Sequence, residues 1–197
     1  MDDDTGGLVR MNDRDRYAAT LFAPADVRPR LFALHGFDLA LADVARTTTE
    51  VAIGLIRLAW WRDAVAGSPP AGAPLLAALH AAGLDALSLV RLAEAHMDWL
   101  EGGEHPGARL FAIAAALLGE HDEAAIAEAG RYWGAGQSAR AGRTVTAARP
   151  AGRYPSRLRP VTALAAVARR DIAGRCEPRG TAGRQLAMLR HMLTGRI

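Results

Sequence analysis

The run Ile56-Arg57-Leu58-Ala59-Trp60-Trp61-Arg62-Asp63 sets two adjacent tryptophans between two arginines. Helical neighbours project about 100° apart, so the two rings cannot share a face. One ring must go to the core and the other to a groove or partner. Arg57 falls on the side of Trp61, while Arg62 falls near Leu58 and Ala66. Taken alone, the run reads as a core helix with an amphipathic rim, because tryptophan is usually largely buried.

Half of the 197 residues are hydrophobic, enough for one domain with a real core. Aromatic content is only 6%, whereas Ala and Leu abound, which favours close-packed helices over a β-sandwich. All 24 basic side chains are Arg, a pattern that codon bias in a G+C-rich genome would produce. The formal charge of +3 conceals a split. Residues 1–130 carry 10 Arg against 19 Asp and Glu; residues 131–197 carry 14 Arg against only Asp171 and Glu177. Such asymmetry points either to an anionic partner or to two halves of one domain attracting each other.

Further residues join the tryptophan run to make a longer pattern. Asp13-Arg14-Asp15-Arg16-Tyr17, Leu21-Phe22-Ala23-Pro24, Arg30-Leu31-Phe32-Ala33-Leu34, Phe37-Asp38 and Gly54 to Asp63 follow one another. In order and spacing they resemble the squalene/phytoene synthase family. They are most similar to its non-catalytic-looking branch, which includes the mitochondrial complex I assembly factor. Looser similarity continues through Gly134-Ala135-Gly136-Gln137, Arg153-Tyr154-Pro155 and Leu158-Arg159-Pro160. The resemblance implies an all-α, single-domain isoprenoid-synthase fold over residues 13–197, shortened relative to the enzymes; residues 1–12, polar and Gly-containing, read as a disordered lead. Active members join two prenyl diphosphates head to head in terpenoid biosynthesis, with Mg²⁺ between two aspartate-rich helices. Diphosphate leaves only once its charge is neutralised, and Mg²⁺ prefers carboxylate and phosphate oxygens.

This chain departs from that pattern. Asp38 and Asp43 are five apart, which turns them about 140° from each other on a helix. Asp43 and Glu50 would realign only if the helix ran unbroken through the β-branched Thr47-Thr48-Thr49. Asp38, Asp43 and Glu50 are therefore weak metal candidates. The second acidic site would fall in Gly136 to Arg143, which contains no carboxylate and two arginines. The expectation is a pseudoenzyme with no catalytic residue and no cofactor, acting in assembly or as a scaffold, or binding a lipophilic or prenyl ligand. Arg57, Arg62, Arg140 and Arg143 are its candidate anion contacts, because the resemblance puts their two regions across one cavity. An active head-to-head prenyltransferase using Mg²⁺ and a degenerate acidic site is the alternative. An Arg-rich anion or nucleic-acid binder ranks last, since few aromatics interleave the arginines.

Met1-Asp2-Asp3-Asp4 is acidic with no apolar stretch behind it, unlike a secretory or transit signal. The apolar run from Ala112 to Leu118 is far below the roughly 20 residues that span a bilayer. A cytoplasmic protein, peripheral at most on the inner face of an anionic membrane, is expected. The lone Cys176 supports neither a disulfide nor a cysteine metal site. Helices are expected over Asp13 to Phe22, from an Asp26 cap past Pro29, over Glu50 to Ala66, and over Leu75 to Ala82. Others should run from an Asp85 cap to Leu100, over Arg109 to Leu118, from an Asp122 cap through Trp133 toward Thr146, over Val161 to Asp171, and over Gln185 to Leu193. The loop Gly67-Ser68-Pro69-Pro70 is the clearest break, and His96 with Glu94 and Asp98 lacks zinc-site spacing.

Overall fold

The Asp residues that sequence marks as caps start two of the longer helices. Asp85 accepts a hydrogen bond from Ser88 N at the head of Ala86–Leu100, and Asp122 accepts one from Ala125 N at the head of Glu123–Arg140. Each side chain satisfies an amide that the first turn would otherwise leave unpaired. A computed structural model describes residues 5–68 and 72–197, which hold ten helices and no strand. In order they are α1 (Thr5–Asn12), α2 (Arg14–Leu21), α3 (Arg28–Thr47), α4 (Val51–Ala66), α5 (Pro74–Ala81), α6 (Ala86–Leu100), α7 (Gly107–Leu117), α8 (Glu123–Arg140), α9 (Arg159–Ile172) and α10 (Ala182–Thr194). The acidic start at 1–4 and the Pro69-Pro70 part of the loop lie outside the described residues.

The bundle is the all-helical, single-domain arrangement that the resemblance implies. α3 supplies its spine, with Leu31, Leu34, Phe37 and Leu41 at most 2% exposed. Their spacing of three and four residues lays them along one stripe. Burying each such side chain contributes about 1.5–3 kcal/mol before chain entropy is charged. The tryptophan pair divides as its geometry requires. Trp61 turns edge-on to Phe37 at 5.9 Å, and Trp60 is 52% exposed.

The α7–α8 contact depends on glycine. A Cβ on Gly130 would stand 2.5 Å from the Gly107 carbonyl oxygen, so the two backbones touch where neither has a side chain. Three expectations need correction. The lead was expected to be disordered, yet residues 5–12 form α1, whose Val9 is fully buried and which packs along α3. Val27, not Asp26, takes the N-cap position of α3, and Pro29 fills its first turn. α8 stops at Arg140 and does not run toward Thr146, because Gly142 adopts a left-handed φ of 78° that closes the helix. Cys176 is exposed in the loop between α9 and α10.

Candidate functional site

The Asp-Arg-Asp-Arg stretch at the head of α2 points inward. Asp13 caps α2 by accepting from Asp15 N at 3.0 Å and Arg16 N at 3.1 Å, and it is fully buried. The cap turns Asp13, Asp15 and Arg16 toward the middle of the bundle and leaves Arg14 outside. Two alternating strings of charge begin there. In the first, Arg16 pairs with Asp13 at 3.1 Å and with Asp38 of α3 at 2.6 Å, and Arg179 reaches Asp13 from the loop before α10. His96 of α6 donates from Nε2 to the far oxygen of Asp38 at 2.8 Å, and Arg179 donates to Gln137 Oε1 at 2.8 Å.

The second string joins α2 to the rear helices. Arg184 of α10 donates to Asp15 at 2.7 Å and forks onto Asp171 of α9 at 2.7 and 3.0 Å. Arg140, at the end of α8, donates to Asp171 and to the Glu177 carbonyl, both at 2.9 Å. The two strings hold four carboxylates (Asp13, Asp15, Asp38, Asp171) and four guanidiniums (Arg16, Arg140, Arg179, Arg184). Their formal charges cancel: the carboxylates, Arg16 and Arg184 are buried, where an unpaired ion would cost several kcal/mol, and Arg140 and Arg179 reach in from partly exposed positions.

Beside Asp38 lies an aromatic and imidazole cluster. Arg16 sits over the Trp133 ring at 5.0 Å, and His105 bridges Trp99 and Trp133 at centroid distances of 4.9 and 5.2 Å. Burial works to raise Asp38, but Arg16 and then His96 outweigh it and hold the carboxyl well below its ordinary range. Burial, aided by Arg16, lowers His35 to about 3. Burial likewise lowers His105 to about 3, against the pull of Asp38. Both rings are neutral at pH 7. His96 Nδ1, Trp99 Nε1 and Gln137 Nε2 are buried with no partner among the described residues, each at a cost of about 1–3 kcal/mol.

The metal candidates do not meet. Asp38 is interior, Asp43 is on the surface paired with Arg46, and Glu50 is exposed at the α3–α4 corner. Among the described residues no group of three or more His, Cys, Asp or Glu is placed to hold a metal ion. The four anion candidates each have a local partner. Arg57 donates to Thr47 and Thr48, Arg62 to Asp63, Arg140 to Asp171, and Arg143 to the Trp99 carbonyl, with its guanidinium over that ring at 5.1 Å. No hydrogen bond or ion pair among the described residues joins the α4 arginines to Arg140 or Arg143. An apolar recess of about 230 Å³, lined by Leu76, Leu79, Leu84 and Leu89, lies between α4, α5 and α6.

Sequence reasoning passed over Asp15, Arg16, Arg179 and Arg184 as site residues. A signal was present: Asp171 and Glu177 are the only acids among 14 arginines in residues 131–197. An acid so outnumbered is the one the arginines will converge on if any core is to stay neutral. Among the described residues no helix is long and apolar enough to cross a membrane.

Residues 9–98 match the family model described as squalene/phytoene synthase. That segment contains Asp13, Arg16, Asp38 and His96, but not Asp171 or Arg184. Over 58 residues the chain is 38% identical to the NADH dehydrogenase (ubiquinone) complex I, assembly factor 6, of Homo sapiens. It is 36% identical over 58 residues to the protein of the same name in Bos taurus. Each alignment covers 29% of this chain and 17% of the relative. No solved structure matches the chain.

Proposed function

We propose that this chain is a squalene/phytoene synthase-like protein that does not transfer prenyl groups and serves as an assembly or scaffold protein. The observation that carries the proposal is the pairing of all four buried carboxylates with four guanidiniums, two of them buried as well. Mg²⁺ bound to diphosphate needs carboxylates with free oxygens on both sides of a cavity. Here Asp38 spends its oxygens on Arg16 and His96, and the facing stretch from Gly136 to Arg143 offers glutamine, serine and arginine. Seating the metal would mean evicting a buried arginine. The residues present do not suit the ion.

The assembly half of the proposal takes its support from the names of the relatives and from α4. Ile53, Ile56 and Trp60 are 48%, 70% and 52% exposed along one side of that helix. Apolar surface of this kind, centred on a tryptophan, is what protein partners bury. The partner chemistry is a protein subunit, and the NADH dehydrogenase complex is the candidate that the relatives' names supply.

Purified protein incubated with Mg²⁺ and farnesyl or geranylgeranyl diphosphate is expected to release no pyrophosphate and form no head-to-head product. Turnover would overturn the chemical half. In cells that make this protein, its loss is expected to lower the amount of assembled NADH dehydrogenase, with recovery by the wild type but not by Trp60→Asp. Unchanged complex levels would overturn the assembly half alone.

A further inference from the structure

The outer side of α10 carries a surface that the interior network does not use. Leu186, Leu189 and Leu193 are 67%, 47% and 79% exposed. Their spacing of three and four residues lines them along one side of the helix, opposite buried Arg184, Met188 and His191. Beside the leucines opens a groove of about 610 Å³ between α9, α10 and the connector that follows α8. Arg149, Arg153, Arg169, Arg170, Arg190 and Arg196 line it, and no Asp or Glu does.

Two of these six are occupied. Arg170 pairs with Glu177, and Arg149 donates to the Ile197 carbonyl. Arg153, Arg169, Arg190 and Arg196 are exposed, and no hydrogen bond or ion pair with a described residue engages their guanidiniums. Four uncommitted cations and three projecting leucines therefore share one patch, with Leu186 and Leu193 lining the groove itself.

A partner for this patch must be anionic and must also accept leucine. A free phosphate or diphosphate would satisfy the arginines and leave the leucines in water. A single strand would be met by aromatic side chains for its bases, and none lines the groove, while a duplex would engage the arginines through its phosphates and leave the leucines in water. A second copy joined face to face would set like charges against each other. A bilayer rich in anionic phospholipid meets both demands at once. Its phosphates lie at the depth of the arginine heads, and its acyl boundary lies just below, where leucines on the same helix can enter.

We propose that the α9–α10 face docks on an anionic phospholipid membrane, with Leu186, Leu189 and Leu193 entering the acyl boundary and Arg153, Arg169, Arg190 and Arg196 taking headgroup phosphates. The proposal is independent of the absence of prenyl transfer. It also locates the surplus charge of residues 131–197: part faces acids inside, and part faces outward in this groove.

The test is cosedimentation of the full chain with vesicles of phosphatidylcholine alone or mixed with phosphatidylglycerol. Binding is expected to the mixed vesicles only and to weaken as salt rises. Each arginine removed should weaken it about five-fold, so Arg169→Gln with Arg190→Gln should lose more than ten-fold. Leu186→Ser with Leu193→Ser should lose binding even at low salt, while Leu87→Ser on α6, 56% exposed and in neither proposed surface, should bind as the wild type does. All these positions are exposed, so thermal midpoints should hold, and a variant that melts early is replaced by Leu189→Ser with Arg196→Gln. No binding to mixed vesicles, equal binding by the double variants, or loss through Leu87→Ser would each overturn the proposal. So would inorganic pyrophosphate or a random DNA duplex binding the wild type while the leucine variant binds it undiminished and vesicles are ignored.

Discussion

α10 shows two uses of arginine on one helix. On its inner side Arg184 is fully buried and divides its donors between Asp15 and Asp171. On its outer side Arg190 shares a groove with five other arginines and no acid. The guanidinium is the same in both places, and what differs is the reach of a carboxylate. With only Asp171 and Glu177 in residues 131–197, the rear of the chain must borrow Asp13 and Asp15 from the head of α2 to neutralise its interior. For its surface it has only Glu177, which is taken by Arg170. Burial pulls Arg184 down, but its bonds to Asp171 and its attraction to Asp15 outweigh that and raise it above the ordinary arginine range.

The comparison makes unequal demands on the two sides, and the largest test falls on the inner one. Arg184→Met should destabilise the fold by about 3–5 kcal/mol, because it strands Asp15 and part of Asp171 without a counter-ion. Urea unfolding followed by circular dichroism would measure it. A loss under 1 kcal/mol would make the inner arginine as dispensable as an outer one.

Next in size is the response of the interior to acid. His35 sits at about 3 in the fold against 6.5 as its ordinary value, so between those values the unfolded chain binds one more proton than the native chain. The His35 contribution is complete above pH 6.5 and is lost as pH falls toward 3, with a slope of about 1.4 kcal/mol per pH unit. His105 acts in the same sense. Stability measured in urea from neutral to acid pH should decline along this course, and His35→Leu should flatten the slope by about one proton. An unchanged slope would place the acid sensitivity elsewhere in the network. The smallest effect belongs to the outer side. Arg190→Gln should change stability by no more than about 0.5 kcal/mol, which thermal melting can check.

The elements that were legible in sequence are those built by local rules. Asp85 and Asp122 announce their helices because a cap bonds to amides two or three residues ahead. Trp60 and Trp61 divide between surface and core because 100° of rotation leaves no other arrangement. The same rule separates Asp38 from Asp43. α1 was not legible, since Thr5-Gly6-Gly7-Leu8-Val9 has weak helix propensity and is held by its packing on α3. The interior network was only partly legible. Asp13 and Arg179 are 166 positions apart, and Asp15 and Arg184 are 169, beyond any periodicity argument. The usual expectation that charged residues face water points the wrong way for all four acids.

Cys176 has a practical consequence. It is the sole thiol in the sequence, it is exposed, and its sulfur lies 4.0 Å from the backbone oxygen of Asp171. A maleimide dye or nitroxide placed there would label the wild-type chain at a single point without mutagenesis. That point is the seam between the neutral interior and the cationic groove, so one spectroscopic probe could report whether an event on the outside is felt within.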